Sequence, residues 1–356
     1  MTHVSLKDVA GRAGVSFQTT SKVLNGKGTV APETRARILG AAKDLGYVPN
    51  ALARSLLTRS TCTIGVVASD LSNAVLSQLV VGIEREARQH GHVVIICSID
   101  YAGSNGEREL RVLLERRVDG IITVAPRLEL EPQAGDLLRG PVPAVTTHPI
   151  AGGGIPLVAP DHRRAALEAT RHLVALGHRR IGTVTGPRNR HPTLVRLDGY
   201  RRALEEVGVP FDPGLTVEGD WSVEEGYRAG HRLLDHAPDT TAVFAQNDLM
   251  AVGLLAALHE RGLDVPADCA VVGCDDIAVA ARMVPPLTTV HIPFHEAGTA
   301  AARLLLDLIA GRVTDPAAET LLPVRLVRRA SCGLRPTAGL GGGGTGPVPA
   351  VLDRLA

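Results

Sequence analysis

The stretch from Val4 to Gly46, "VSLKDVAGRAGVSFQTTSKVLNGKGTVAPETRARILGAAKDLG", decides the fold. Ser5 precedes Leu6 and Asp8 follows three residues later, a capping-box pattern with Asp in place of the usual Glu or Gln. A helix is therefore expected to start there, with Leu6, Val9, Ala10 and Ala13 on one face, and Gly14 breaks it after two turns. Ser16 caps a second helix that runs to about Asn25 and stops at Gly26. Pro32 stands in the first turn of a third, whose Ile38, Ala41, Ala42 and Leu45 form the inner stripe. Two short helices joined by a tight Gly-containing turn and braced by a third make a helix-turn-helix, with Val9, Ala10, Val15, Val23, Leu24 and Ile38 closing its core. The outer face of the second helix, Phe17, Gln18, Ser21 and Lys22, is an odd set for a solvated surface.

Charge separates this head from the rest. Residues 1–60 hold nine Lys and Arg against three Asp and Glu, which from totals of 38 and 37 leaves 29 against 34 elsewhere. All four lysines lie at or before Lys43, so a small basic head on a mildly acidic body is expected to meet a polyanion with the head alone. After "GYVPN", Asn50 starts a short apolar segment with Leu52, Leu56 and Leu57, too short to be a stable helix alone. From Cys62 onward β-branched runs alternate with amphipathic stretches, for example "TIGVVAS" then "LSQLVVGIEREARQHG" then "HVVIICSI". That rhythm predicts βαβ units in two parallel sheets with covered faces, and Cys97 reads as a small buried hydrophobe. "PIAGGGIPLVAP" (Pro149–Pro160) reads as a surface loop, and the last residues as a Gly-rich tail that does not pack.

With these elements in this order, the sequence resembles the lac repressor (LacI/GalR) family. The resemblance is dense over residues 4–65 and returns in "VDGII", "HLVALGHRRIG", "FAQNDLMAVG", "VVGCDD" and "PPLTTV". It implies an N-terminal all-α helix-turn-helix domain (1–48), a hinge helix and linker (49–61), and an α/β periplasmic-binding-protein-like (type I) body of two parallel-sheet subdomains (62–333). The N-subdomain would take residues 62–159 and 293–321 and the C-subdomain 160–290 and 322–333, with 334–356 a flexible tail. It also implies a homodimer on near-palindromic operator DNA, a regulator and not an enzyme, with a small effector between the subdomains.

Carried over position by position, Phe17, Gln18 and Lys22 would read base edges in the major groove. Gln suits adenine, Lys suits guanine, and an aromatic suits a thymine methyl. Lys22 stands where many relatives have Arg, which predicts looser guanine selection. Ser16, Thr19, Ser21, Asn25, Thr34 and Tyr47 match phosphate-contacting positions, Ser16 having a second role as helix cap. Asn50, Ala53 and Leu56 match the hinge helix, whose paired leucines wedge into the minor groove.

The matched effector positions are Ser69, Asn73, Asp161, Arg196, Trp221, Asn247 and Asp275. Asp, Asn and Arg beside an aromatic platform suit a sugar or sugar derivative. The aliphatic "NAVLSQLV" after Asn73, where relatives carry aromatics, keeps a nucleoside or other metabolite, or a co-repressor, as the alternative. Asp276 is assigned to capping the helix after the strand. No P-loop, GxSxG or HExxH occurs, and "HIPFH" lacks a third ligand, so neither catalysis, a cofactor nor a metal is expected. A transport protein using the same clamp would have a signal peptide and no helix-turn-helix. No membrane span is expected, and the N-terminus carries no secretory signal, which points to the cytoplasm. The Gly/Pro tail in place of a leucine heptad predicts a dimer rather than a tetramer.

Overall fold

The structure, a computed structural model, describes residues 4–25, 29–48, 60–69, 71–99, 106–126, 128, 131–150, 152–316 and 318–333. It divides into two units: residues 1–63 with Arg117–Asp119, and the rest of the chain.

The first unit holds α1 (Leu6–Ala13), α2 (Phe17–Leu24) and α3 (Pro32–Asp44). Ser5 N–H donates to Asp8 Oδ2 at 2.8 Å and Asp8 N–H to Ser5 Oγ at 3.4 Å, so the capping box forms with Asp in the acidic position. Gly14 ends α1 at φ 64°, a left-handed turn that costs glycine least. Ser16 Oγ accepts from Thr19 N–H at 3.1 Å to start α2, and Pro32 opens α3. Val9, Ala13, Val23, Ile38, Ala41 and Ala42 form the core, with Val15, Leu24, Leu45 and Tyr47 packed against it. Asp119 holds the chain beyond the head, accepting from Ser60 Oγ at 2.6 Å and from Thr61 N–H at 2.8 Å. Asn50, Ala53 and Leu56 lie outside the described residues, as does the tail from 334.

The second unit starts with β1 (Thr63–Ser69), α4 (Ala74–Gln89), β2 (Val93–Ile99), α5 (Gly106–Glu115), β3 (Gly120–Val124), α6 (Pro132–Leu138), β4 (Ala144–Thr146) and β5 (Leu157–Pro160). It continues with α7 (His162–Ala175), β6 (Ile181–Thr185), α8 (His191–Glu205), β7 (Thr216–Glu218), α9 (Val223–His236), β8 (Ala242–Ala245), α10 (Asp248–Glu260), β9 (Ala270–Asp275) and β10 (Thr288–His291). Then α11 (Phe294–Ile309), β11 (Glu319–Leu322) and β12 (Arg325–Val327) close it. One sheet has the order β11-β5-β4-β3-β1-β2 and the other β12-β10-β9-β8-β6-β7. The registered pairs are parallel, except β10 with β12. The chain passes from one sheet to the other after β5, after β10 and after β11. Asp161 N–H donates to Leu322 C=O at 3.0 Å, tying the first of these crossings to the third.

The central strands β3, β4, β6 and β8 are buried along their whole length, as parallel strands covered on both faces must be. Three helix pairs pack by backbone approach. A Cβ at Gly82 of α4 would sit 2.2 Å from His295 O of α11, one at Gly199 of α8 2.3 Å from Arg163 O of α7, and one at Gly253 of α10 2.0 Å from Val223 O. Glu86 of α4, itself buried, receives Arg303 of α11 at 2.8 and 3.2 Å.

Two expectations change. "VVIICSI" forms β2 at a sheet edge, so among the described residues one side has no neighbouring strand; Val93, Ile95 and Ile96 are exposed and Cys97 is only half-buried. The stretch from Pro149 is a loop only to Pro156, with Gly152, Gly153 and Gly154 at positive φ, because "LVAP" pairs with β11 as the buried strand β5.

Ile38 is fully buried in a small core. Ile38→Ala should remove about 2–5 kcal/mol, comparable to the whole stability of so small a unit. Thermal unfolding followed by circular dichroism should then show an early helical transition that the unsubstituted chain lacks.

Candidate nucleic-acid interface and ligand cleft

In the head, α2 turns Thr20 and Val23 inward and leaves Phe17, Gln18 and Lys22 exposed. This follows from helical spacing: 17, 18, 21 and 22 lie opposite 20 and 23. Ser16 Oγ lies 2.8 Å from Thr19 Oγ1, and Asn25 Nδ2 donates to Ser21 Oγ at 3.2 Å, so the small polar groups flanking the outer face are ordered in pairs. Thr34 is half-buried on α3 and Tyr47 half-buried against the head core. Such a face, with an aromatic and an amide at the start of a helix and an ammonium one turn on, fits the edges of base pairs.

In the body, the carboxyl ends of β6, β7, β8 and β9 gather a buried constellation. Asp275 ends β9 at φ 118° with its side chain 7 % exposed, and Arg196 of α8 reaches it with Nη2 at 3.4 Å. The same guanidinium donates to His162 Nδ1 at 3.1 Å and to Gln246 C=O. Its carbon stands 5.5 Å from the centroid of Trp221. Trp221 (φ 76°) lies directly over Gly186, where a Cβ would fall 2.0 Å from the ring. Only glycine leaves room for that stacking.

The electrostatics follow from dehydration. Burial pushes the Asp275 carboxyl up to about 7, against the pull of Arg196. Burial also holds His162 well below its ordinary value, with Arg196 adding to the effect. A neutral His162 whose Nδ1 accepts from Arg196 carries its proton on Nε2 and is a donor there. His148, just past β4 of the other sheet, is brought down to about 3 by burial, then by His191 and Arg190. Among the described residues, the buried atoms Ser69 Oγ, Thr193 Oγ1, Arg196 Nε and Gln246 Nε2 have no hydrogen-bond partner, and buried polar atoms in native proteins rarely lack one.

Of the seven positions expected to face an effector, Arg196, Trp221, Asn247 and Asp275 come together. Both polar atoms of Asn247 already have a partner, however: its Oδ1 caps α10 through Met250 N–H at 2.9 Å and its Nδ2 holds Trp221 C=O at 2.9 Å. Asp161 caps α7 through Arg164 N–H at 2.8 Å, next to His162. Asn73 caps α4 through Val75 N–H at 3.0 Å, and Ser69 ends β1; both stand on the first sheet, apart from the hydrogen bonds of the constellation. Asp276 does not cap a helix. The short 3-10 helix that follows, Ala278–Arg282, has Ile277 at its N-cap, and the Asp276 carboxylate takes Arg329 at 2.7 Å and His291 Nδ1 at 3.2 Å. His162 and Gln246 were not singled out from the sequence. Nor was Asp248, buried under Thr289 Oγ1 at 2.6 Å and Ile277 N–H at 2.9 Å and pushed up to about 6 by that burial. Among the described residues no group of three or more His, Cys, Asp or Glu is placed to hold a metal ion, and no helix is long and apolar enough to cross a membrane.

Comparison with known proteins matches residues 5–50 to the family described as bacterial regulatory proteins, lacI family, and residues 170–332 to the periplasmic binding protein-like domain. The ribose operon repressor of Escherichia coli (strain K12) is 38 % identical over 315 residues, which is 88 % of this chain and 94 % of that protein. A lac repressor dimer bound to operator and the anti-inducer ONPF superposes with a TM-score of 0.85 at 33 % identity, covering 93 % of this chain and 99 % of that one. The transcriptional regulator CelR in complex with cellobiose gives a TM-score of 0.71 at 35 % identity over 92 % of this chain and 100 % of that one.

The raised carboxyl of Asp275 has a sign. Between its ordinary 3.8 and about 7 the folded chain keeps a proton that the unfolded chain has released, so this residue's contribution is present at low pH and lost as pH rises through that window. Asp275→Asn removes the titration. Its stability relative to the unsubstituted chain should therefore rise between pH 4 and pH 8 by on the order of a few kcal/mol, read from denaturant midpoints at each pH. A difference independent of pH would contradict this.

Proposed function

Because the chain belongs to the lacI family of bacterial regulatory proteins, a family of DNA-binding transcriptional regulators and not of enzymes, we propose that it is a homodimeric repressor. Its operator affinity would be set by a sugar or sugar derivative held in the cleft. The observation that carries the effector reading is the buried Arg196–Asp275 pair beside the Trp221 platform, with donors left over around it. A carboxylate and a guanidinium at one edge of an aromatic face suit adjacent hydroxyls on a ring. The ribose and cellobiose in the names of the two relatives above point the same way.

On the DNA side, Phe17, Gln18 and Lys22 take the base edges, and Ser16, Thr19, Ser21, Asn25, Thr34 and Tyr47 hold phosphates. Asn50, Ala53 and Leu56 form the hinge that meets its partner's in the minor groove. Exposed Val81 on α4 and Val93, Ile95 and Ile96 on the edge strand β2 support a second copy covering this face, since an open apolar edge invites pairing. The ligand acts through its different affinity for the cleft geometries that favour and disfavour paired hinges.

Retention on DNA should fall steeply with salt and vanish when residues 1–60 are removed, the slope itself being the behaviour for which lac repressor is the standard example. Leu56→Ala should weaken binding to an operator recovered by genomic footprinting several-fold or more, with ligand affinity unchanged; an unaltered gel-shift titration would sink the hinge assignment. Lys22→Arg should sharpen guanine selection at one base pair of each half-site by about 1–3 kcal/mol, measured with an operator series substituted at that pair.

A further inference from the structure

Residues 60–63 run beside Arg117–Asp119, and one carboxylate gathers them. Asp119 Oδ2 accepts from Ser60 Oγ at 2.6 Å, and its Oδ1 accepts from Thr61 N–H at 2.8 Å and from Thr61 Oγ1 at 3.0 Å. The Ser60 bond has the length of a charge-assisted O–H···O⁻ bond. The Thr61 hydroxyl proton is shared with Arg117 C=O at 3.0 Å, Cys62 N–H donates to Ser60 Oγ at 3.2 Å, and Asp119 N–H donates to Thr63 C=O at 2.8 Å. Burial alone would raise the Asp119 carboxyl, but the bonds from Ser60 and Thr61 outweigh it and hold it below its ordinary value. Cys62 at φ 50° and Arg117 at φ 55° both lie in the left-handed region. Non-glycine residues stay there only where their surroundings over-determine them, and such strain gathers at switch regions. Asp119 is itself firmly seated. Val118 before it is buried, and Gly120 after it packs under α11, a Cβ there falling 2.8 Å from Leu305 Cδ1.

We infer that Asp119 is the positioning residue of the hinge: its carboxylate fixes the end of the segment that carries Asn50, Ala53 and Leu56, and operator affinity depends on that placement. The inference rests on the hinge reading above and adds the group that holds the hinge's end. Residues 49–59 are too few for a stable helix alone, so pairing with a partner's hinge is favourable only where their ends are already placed. Each bond of the clasp that is lost returns freedom to Ser60 and Thr61, which pairing must then remove again. The clasp also ties the hinge to the strands of the first sheet. Asp119 leads into β3 and Thr63 begins β1, and these two strands pair from Ile64 with Gly120 to Ala68 with Val124. Ser69, the expected effector group at the far end of β1, is joined to the clasp by that one paired strand, about 20 Å long at about 3.3 Å per residue. Phe17, Gln18 and Lys22 make no bond to the clasp, so it bears on operator binding through the hinge and leaves the head's attraction to phosphates as it is.

Gel-shift titration of the full chain with the footprinted operator and with a scrambled duplex of the same length tests this, beside trypsin cutting of the free chain after Arg59. Asp119→Asn keeps the shape of the side chain and loses its charge. It should weaken operator binding about tenfold or more, the worth of one charge-assisted hydrogen bond, and change binding to the scrambled duplex by less than about twofold. Ser60→Ala with Thr61→Val removes two of the three bonds to the carboxylate without touching β3, so it carries the test should Asp119→Asn not fold. This pair should weaken operator binding several-fold. Adding it to Asp119→Asn should cost nothing more, because both act on one clasp. Trypsin should cut after Arg59 several-fold faster in each variant, since cutting needs the chain around the bond released. Operator binding or cutting unchanged in these variants, losses that add in full, or equal losses on the two duplexes would overturn the positioning role of Asp119 and leave the regulator reading standing. An unsubstituted chain that binds the two duplexes equally would overturn both.

Discussion

A guanidinium taken out of water at Arg196 has to find its acceptors inside the protein, and the shape of the cleft follows from where they are. Its side chain is 4 % exposed, and its partners come from three different elements: His162 at the start of α7, the Gln246 carbonyl after β8 and Asp275 at the end of β9. Removing one partner of such a group leaves a buried charge uncompensated, a cost of several kcal/mol, so the three elements are fixed relative to one another. Gly199, one turn beyond Arg196, allows the close approach of α8 to α7 that brings the guanidinium within reach of His162. Gly186 allows Trp221 to lie flat beside it. The backbone shows what the arrangement costs: Asp275 at φ 118° and Trp221 at φ 76° are both conformations that non-glycine residues seldom adopt.

The same constraint makes a switch physically reasonable. The constellation belongs to the second sheet, whereas Ser69, Asn73 and His148 stand on the first, and the chain joins the two sheets by three short crossings. A ligand that completes the unsatisfied donors on one side and touches the other side has different free energies in open and closed cleft geometries, and that difference is all it has to spend on DNA affinity.

Much of this was legible in the sequence because it is local. The capping box at Ser5 and Asp8, the glycine stop at Gly14 and the inward stripe of α3 need only neighbours within four residues. The alternation of β-branched and amphipathic stretches gave the parallel sheets for the same reason. What was not legible depends on distant partners. Cys97 sits in an apolar run whose edge position is set by strand order. Asp276 follows a strand as a helix cap would, yet it answers to Arg329, 53 residues away. His162 and Gln246 meet Arg196 across 34 and 50 residues. Asn73, Asp161 and Asn247 show the reverse limit: their type and spacing mark them equally as helix caps and as ligand groups, and in this structure their carbonyl or carboxylate oxygens cap helices.

In the proposed function one chain couples a ligand in the cleft to DNA at the head, and coupling between two binding sites is reciprocal. Trp221 is the sole tryptophan and lies in the constellation, so its emission reports cleft occupancy directly. The most direct measurement is a titration, followed by that emission, of the sugar compound that raises the melting temperature, with and without saturating operator DNA. With such coupling, DNA shifts the ligand Kd by about fivefold or more, and by the same factor by which the ligand shifts the operator Kd. Identical ligand affinity in the presence and absence of DNA would contradict it.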